Sequence, residues 1–526
     1  MSVKLEVAEL TVDGHRVPLR ADATLFELAR RAGVSIPNAC QENGKCRECL
    51  VQVDDGHLAL SPPTIEEDQL QESFRLACRA RVTDPKTAIR CRTLRHRRLR
   101  IETCGDLQRP ASGDPTANGR GLAIDIGTTS VVLRLIELAT GEVVDARAFE
   151  NPQCVAGADV MSRIAFDGRD DSGFLRRTLL GFLGREIREL SGTPTEIRRV
   201  VVVGNPTMRD LFFGLDVAGL GQRPYRSLTA DRESIQLDAN TSSLGRGFGA
   251  GLDLGLHPEA RVFSPAQIGG HVGSDAAASL LVADLAHHDR PRALLDIGTN
   301  TELVVAHGDR ILAASCPAGP AFEGGGITCG MPAFDGAIAN VRRTADGLFD
   351  CDVLGDARAT GICGSGLIAA VAVFLESGLM NELGRFVDGS NRIYLDVDET
   401  VFLTERDVAE LAQAKSAHAA GLQIVAKQLG IRLRDLDTVF LCGAFGHHLD
   451  PGAAMRIGLI SELTADRIKR LGNTAIEGAA ALLSTPGENH RLAMLVEGIE
   501  HVNLETDPDF FDLFAEGCLF RPLHGD

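Results

Sequence analysis

Cys40, Cys46 and Cys49 fall within NACQENGKCRECLVQV, and Cys78 follows in RLACRARV. The spacing is C-x5-C-x2-C, then 28 residues, then the fourth cysteine. Three soft thiolates in one loop plus a remote fourth can wrap a [2Fe–2S] centre, for which C-x4-C-x2-C is the plant-type loop spacing. Here the first gap is one residue longer. Gly44 and Lys45 lie inside the loop, where a chain winding around thiolates needs backbone freedom and positive charge. Zinc is a rival, but zinc sites match one C-x2-C with a second, and Cys78 is not half of such a pair. A disulfide set is the other rival, and nothing in the sequence marks the chain as secreted. The four cysteines are expected to ligate a [2Fe–2S] cluster, with a strand through FRLACRARV supplying the last thiolate. Cys91 and Cys104 are reserve ligands.

A second chemistry is written twice. Leu122–Val132 reads LAIDIGTTSVV and Leu294–Val304 reads LLDIGTNTELV. Each is an apolar strand, a tight turn rich in glycine and threonine, and a returning strand. Glycine lets backbone N–H groups approach phosphate oxygens, and threonine hydroxyls add donors. Asp125 and Asp296, one at each strand end, can hold Mg²⁺ through water, because that ion keeps several of its waters. One such turn is an ordinary hairpin; two, followed by Gly443-Ala-Phe-Gly446, point to a phosphate site. Gly127, Thr128, Thr129, Gly298, Thr299 and Asn300 are the expected phosphate contacts, with Gly443 and Gly446 beside an adenosine. No G-x-x-x-x-G-K-[ST] loop is present, which excludes a P-loop. Arg223-Pro-Tyr-Arg-Ser is similar to a flavin-reductase motif, but no dinucleotide fingerprint follows it.

These residues need several compact units to position them, as 526 residues exceed one ordinary domain. Residues 1–95 read as a sheet-rich domain. A hairpin turns at Asp13-Gly14, ATLFELARRAG has helical period, and CLVQVDDG and FRLACRARV read as strands. That order suits an α+β, β-grasp ferredoxin domain. Arg90, Arg92, Arg95, Arg97, Arg98 and Arg100 form a basic run, a solvated strand edge or a docking face. Residues 96–120 read as a linker, mobile through its breaker-rich part Arg109–Asn118. Residues 121–290 and 291–526 then echo one another, each with a later strand ending in glycine (VVVVGNPTM, VFLCGAFG), and two facing copies would enclose a cleft. Helices are expected at Gly364–Leu379, within Thr404–Leu429 and around Ala475–Leu483. A net charge of −18 argues against a nucleic-acid partner. No apolar run approaches the roughly 20 residues of a membrane helix. With no signal peptide before MSVKLEVAELTVDG, a soluble cytoplasmic chain is expected. The remaining nine of its 13 cysteines are scattered singly, as reduced thiols would be.

LAIDIGTT, LLDIGTNTE and FLCGAFG resemble the two phosphate motifs and the adenosine motif of the acetate and sugar kinase/Hsp70/actin (ASKHA) superfamily. Behind a [2Fe–2S] domain, the chain resembles the ATP-dependent reductive activators of corrinoid proteins. NPQCVAGADVMSRI, GNPTM, PAGPAFEGGGI, GICGSGL and the Gln413-Ala-Lys-Ser stretch are similar to that family as well, so the likeness covers nearly the whole chain. The resemblance implies a duplicated α/β two-lobed core that binds ATP and Mg²⁺. It also implies one-electron reduction of Co(II) to Co(I) in the corrinoid protein of a methyltransferase system, recharging by an electron-donating reductase, and no nucleic-acid or membrane partner; it leaves room for a homodimer. Several members carry a middle domain for which the stretch between Cys91 and Gly121 is too short. Three other classes share parts of the pattern: a small-molecule kinase, a dehydratase-activator-like ATPase, and a ferredoxin carrier with an inert binding module. A kinase has no use for a ferredoxin domain. Dehydratase activators hold a [4Fe–4S] cluster on core cysteines, and Cys316, Cys329, Cys351, Cys363 and Cys442 form no tight pair in sequence.

Overall fold

The computed structural model describes residues 8–34, 36, 42–44, 49–68, 70–94, 113–170, 172–229, 235–238, 254–283, 285, 288–355 and 357–523. Its N-terminal unit starts from a turn that demands left-handed backbone. Strands β1 (Glu9–Val12) and β2 (His15–Pro18) pair antiparallel around Asp13 and Gly14, whose φ angles are 47° and 80°. Two consecutive positive angles define a type I′ hairpin turn, which Asp-Gly satisfies. Helix α1 (Leu25–Arg31) begins at Thr24, which exchanges hydrogen bonds with Glu27 in a capping box. Strands β3 (Leu50–Asp55), β4 (Phe74–Leu76) and β5 (Ile89–Thr93) complete a sheet ordered β2-β1-β5-β3-β4. The parallel β1/β5 pair inside an otherwise antiparallel sheet, with one helix between β2 and β3, is the β-grasp arrangement.

Residues 113–118 correct the expected mobile linker. Asp114 N–H donates to the Leu138 carbonyl at 2.9 Å, and its carboxylate pairs with Arg199 at 3.4 Å. Gly113 lies so close to the core that a Cβ there would stand 2.1 Å from the Ala139 carbonyl oxygen. An Asp-x-Thr turn, with Asp114 accepting from Thr116, has made a fastened strap out of polar breaker residues. Residues 95–112, with Arg95, Arg97, Arg98, Arg100 and Cys104, lie outside the described residues.

The core is built twice from one plan. In the first copy β6 (Arg120–Ile126), β7 (Ser130–Glu137) and β8 (Val143–Glu150) form an antiparallel meander. Helices α2 (Val160–Asp167) and α3 (Phe174–Ser191) lead to β9 (Ile197–Gly204), parallel to β6, and then to α4 (Pro206–Phe213). Strands β10 (Ile235–Asp238) and β11 (Arg261–Ser264) extend the sheet, and α5 (Ser274–Ser279) passes to the second copy.

There β12 (His288–Ile297), β13 (Thr301–Gly308) and β14 (Arg310–Cys316) repeat the meander. An inserted three-stranded sheet follows, with β15 (Ala337–Arg343), β16 (Phe349–Val353) and β17 (Gly361–Ile362). Then come α6 (Gly364–Glu376), the hairpin β18 (Arg392–Tyr394) and β19 (Phe402–Thr404), and α7 (Glu405–Gln428). Strand β20 (Thr438–Cys442) returns parallel to β12, followed by α8 (Gly443–His448), α9 (Pro451–Arg456) and β21 (Ile468–Gly472). Helices α10 (Thr474–Ser484) and α11 (Glu488–Glu497), strand β22 (Ile499–His501) and α12 (Phe510–Gly517) close the chain. The helices expected at Gly364–Leu379, within Thr404–Leu429 and around Ala475–Leu483 appear as α6, α7 and α10.

Strands buried on both faces explain the continuous apolar runs. On β6, Leu122, Ile124 and Ile126 join one apolar cluster with α3, while Ala123 joins another with α5 and α10. On β12, Leu295 and Ile297 face the α6 and α7 side, and Leu294 faces the shared inner cluster. The inner cluster, rich in alanine, glues the lobes together. Here α10 crosses α5 so closely that a Cβ on Gly478 would lie 2.1 Å from the Ala278 carbonyl oxygen. Arg223, in the segment similar to flavin-reductase motifs, pairs with Glu505 at 3.0 Å across the lobes.

Candidate functional site

Each DIGT turn stands at the end of its lobe's central strand, β6 or β12, so the duplicated topology brings both to one cleft. Asp125, Gly127, Thr128, Thr129, Asp296, Gly298, Thr299, Asn300 and Gly443 line one cavity. Of the residues expected there, Gly446 is absent from the lining; a Cβ added to it would meet the Leu441 backbone at 3.2 Å. The side chains of residues 444, 445 and 447 lie outside the description.

The first turn is gripped from behind. Gly127 N–H donates to the Ser130 carbonyl at 2.9 Å. Asn151 Nδ2 donates to the Gly127 carbonyl at 2.8 Å, and the fully buried Arg163 reaches the Thr128 carbonyl at 2.6 Å. Asn205 caps α4 and donates from Nδ2 to Thr128 Oγ1 at 3.0 Å. The segments NPQCVAGADVMSRI and GNPTM are thereby accounted for: they hold this turn rigid. Burial pulls the Arg163 guanidinium down to about 10. In the second lobe, PAGPAFEGGGI supplies Glu323, whose carboxylate accepts from the Thr299 hydroxyl. GICGSGL supplies Gly364 and Ser365 at the start of α6, also in the cavity wall.

The cleft is strongly acidic. Sequence reasoning found Asp125 and Asp296 but missed Asp275, and it did not single out Glu302 or Glu323. Burial pushes Asp125 up to about 7, with a hydrogen bond from Asn473 at 2.7 Å opposing it. Burial pushes Asp275 up to about 6. Asp296 is raised to about 8 by burial and then by Asp275, Asp125 and Glu323. Glu302 is raised well above its ordinary value, again chiefly by burial. Carboxyls so costly to ionise fit a site built for a cation. Among the described residues no three His, Cys, Asp or Glu side chains converge to ligate a metal directly. Asp125 and Asp296 could hold Mg²⁺ through the waters that this ion retains.

In the N-terminal unit, Cys49 and Cys78 Sγ atoms lie 3.3 Å apart and buried. That is too long for a disulfide and close enough for two thiolates to meet one metal cluster. Cys78 is not on a strand, contrary to the expectation from FRLACRARV. Ala77 N–H adds one last ladder bond to the Cys49 carbonyl at 2.8 Å, and a turn closed by Arg79 and Ala80 N–H on the Leu76 carbonyl (2.8 and 2.9 Å) then carries Cys78 beside Cys49. Cys40 and Cys46 lie outside the described residues. Cys91, a reserve candidate, sits mid-sheet opposite Val53, where burial pushes its thiol up to about 12. Lys415, from the Gln413-Ala-Lys-Ser stretch, is also structural: it is buried and donates to the Gly517 and Leu519 carbonyls.

A β-grasp domain with converging thiols, ahead of two duplicated lobes around a phosphate cleft, defines an iron–sulfur protein fused to an ASKHA-type ATPase core. The comparisons give the particular family. Residues 10–83 match the 2Fe-2S iron-sulfur cluster binding domain, 120–288 the RACo middle region, and 291–524 the C-terminal ASKHA domain of RACo. The chain belongs to the RACo family, and its cofactors are a [2Fe–2S] cluster and ATP. It is 29% identical over 430 residues to the corrinoid activation enzyme RamQ of Eubacterium limosum, covering 76% of this chain and 70% of that one. It is 27% identical over 423 residues to the [Co(II) methylated amine-specific corrinoid protein] reductase of Methanosarcina barkeri, covering 75% and 76%. A solved structure of a reductive activator for corrinoid, iron-sulfur protein superposes with a TM-score of 0.69 over 98% of both chains, at 23% identity. The middle-region match falls on the first lobe of the core.

Proposed function

We propose that this protein reactivates a corrinoid protein, delivering one electron that returns Co(II) to Co(I) at the expense of ATP. The observation that carries the reading is the union, on one chain, of a converging thiol pair with an acidic two-lobed phosphate cleft. It is supported by relatives named for corrinoid activation and Co(II) corrinoid reduction. When bound, the cluster supplies one-electron transfer and Mg·ATP supplies free energy. Each ~59 mV of uphill gap costs roughly 1.4 kcal/mol, which a nucleotide-driven change of lobe contacts can offset if the two states bind the partner differently.

The residues assigned to each task are Cys40, Cys46, Cys49 and Cys78 for the cluster. Gly127–Thr129 and Gly298–Asn300 take the phosphates, Asp125 and Asp296 place Mg²⁺ and water, and Gly443 borders the adenosine. Residues 1–95 would act as the electron-carrying domain and 121–526 as the ATPase, in a cytoplasmic chain recharged by a separate reductase. No helix among the described residues is long and apolar enough to cross a membrane. The test is anaerobic absorbance of the Co(II) band after mixing reductant, this protein, a corrinoid protein and ATP. Loss of the band only when ATP is present is expected; equal loss without ATP would reduce the chain to a simple ferredoxin. Cys49→Ser is expected to make the cluster labile while ATP binding persists.

A further inference from the structure

The N-terminal unit carries a groove lined by four arginines. Arg20 follows β2, Arg30 and Arg31 end α1, and Arg81 follows the turn that carries Cys78. All four are exposed. Among the described residues none of them pairs with a carboxylate, and Arg81 donates instead to the Asp22 backbone carbonyl at 2.7 Å. Elsewhere exposed arginines are matched: Arg310 with Glu500, Arg342 with Asp350, Arg385 with Glu405. The acids in the groove are Asp22 and Glu27, and Glu27 is committed to the cap of α1. Favourable charge at a helix C-terminus accounts for Arg30 and Arg31, but Arg20 and Arg81 reach the same groove from two other segments. The groove lies beside the cluster ligands. Leu25 N–H donates to the Ala80 carbonyl at 2.9 Å and Phe26 N–H to the Ala77 carbonyl at 3.0 Å, so the first turn of α1 rests on the turn that holds Cys78. Charge is divided between the units as well. Residues 1–95 hold equal numbers of basic and acidic side chains, so the whole net charge of −18 belongs to residues 96–526. An acidic protein is therefore repelled by the core and attracted at this groove.

We propose that this groove docks the protein that recharges the cluster, and that this electron donor presents an acidic face. The inference rests on the reading of the chain as a reductive activator. The corrinoid protein must touch the lobes, because a nucleotide-driven change there acts through differential contact with it. The donor needs only the cluster domain. In the step itself one electron leaves the donor's reduced centre for the oxidised [2Fe–2S] cluster, and no bond is made or broken. Exposed guanidiniums suit so short an encounter. Charges at a rim raise the association rate more than the affinity, and electron-transfer interfaces are small. Their planar forks also hold a carboxylate by two hydrogen bonds at once, which fixes the donor's orientation.

The test uses the anaerobic, cluster-loaded full chain with flavodoxin, an acidic one-electron donor, as the probe. Calorimetry reads the binding of oxidised flavodoxin, and stopped-flow absorbance follows bleaching of the cluster by the reduced form, each at low and high salt. Arg30→Gln combined with Arg31→Gln is expected to slow bleaching about ten-fold at low salt and to weaken binding. High salt should bring the wild type close to the variant, since it screens exposed charges. Bleaching by the methyl viologen radical, a small cation, should not slow. Arg20→Gln, which lies outside the helix, should show the same trends at smaller amplitude, and it decides the case should the double variant fail to fold. Wild-type bleaching that ignores salt, or equal flavodoxin binding and bleaching in folded variants, would overturn the proposal. So would variants that keep flavodoxin binding but lose ATP-dependent Co(II) reduction under viologen, an outcome that assigns the groove to the corrinoid protein. A wild-type chain that shows charge-dependent bleaching yet reduces no corrinoid protein with ATP would instead overturn the activator reading and leave the donor groove standing.

Discussion

Asp125 and Asp296 occupy equivalent points of two strand–turn–strand units of one topology, yet their surroundings differ. Behind the Asp125 turn stand Asn151, Arg163 and Asn205, and Asn473 donates to the carboxylate itself. Every group found to act on Asp296 is another acid: Asp275, Asp125 and Glu323. The strands after the turns diverge too. β9 runs through Gly204 to Asn205, whose side chain braces the first turn. β20 stops at Cys442, and α8 starts at once from Gly443, whose φ is 83° and where a Cβ would meet Asp296 Oδ1 at 2.6 Å. Duplication has thus supplied one backbone for two jobs. The first turn is a fixed cradle, and the second is a cluster of carboxyls that resist ionising until a cation arrives.

If that division holds, Asp296→Ala should cause the largest loss, about 10²-fold in ATP hydrolysis, with the visible spectrum of the cluster unchanged. Asp125→Ala should lose less rate but bind nucleotide more weakly, because the Asn473 bond across the lobes goes with it. Equal losses in steady-state assays of both variants would erase the distinction.

The pH dependence sharpens it. Asp125, Asp275 and Asp296 hold their protons in the folded chain to about 7, 6 and 8, against an ordinary value of 3.8. From about pH 4 to 8 the folded chain therefore carries more protons than the unfolded one. Stability contributed by this cluster is full below the unfolded values and is lost as pH rises through the folded ones. The nucleotide-free melting midpoint should fall over that window. Asp296→Asn should flatten the fall more than Asp125→Asn, and Mg²⁺ should raise the midpoint most at pH 8.

Much of this is legible in the residues themselves. Thiolate spacing and the repeated DIGT turns are local, so residue type and order carry them, and the period of ATLFELARRAG marks α1. Cys78 shows the limit: FRLACRARV alternates like a strand, but Arg79 and Ala80 N–H both donate to the Leu76 carbonyl and fold the chain into a turn at Cys78. Asp275 and Asn473 lie in no phosphate motif. They join the cleft because α5 and α10 cross between the lobes, and 348 residues separate Asn473 from Asp125. The strap at Asp114 is hidden for the opposite reason, since its polar breaker residues read as loop whether or not a core receives them.

Two smaller effects probe the same contrast. Gly443→Ala combines left-handed backbone with a 2.6 Å contact to Asp296. It should cost roughly 1–3 kcal/mol in denaturant unfolding and weaken nucleotide binding, which it would not do if the second turn were as braced as the first. Asn205→Ala removes a helix cap worth about 1 kcal/mol together with its bond to Thr128. Its melting midpoint should drop slightly, with a larger relative effect on nucleotide affinity than on stability.

Helix α10 carries a consequence for how the molecule is made. It comes from the far end of the chain, yet it covers the inner face of the first sheet, where Glu477 meets Arg134 and Asn473 meets Asp125. A ribosome adding about 5–20 residues per second needs roughly 20–70 s to cross the 348 residues between that last pair. Once Ser264 has been made the first sheet is complete in sequence, yet its inner face still awaits α10, a long-range closure of the kind that slows folding. A nascent chain stalled before residue 473 would therefore present apolar Ala123, Val132 and Val201 to whatever binds unfinished proteins.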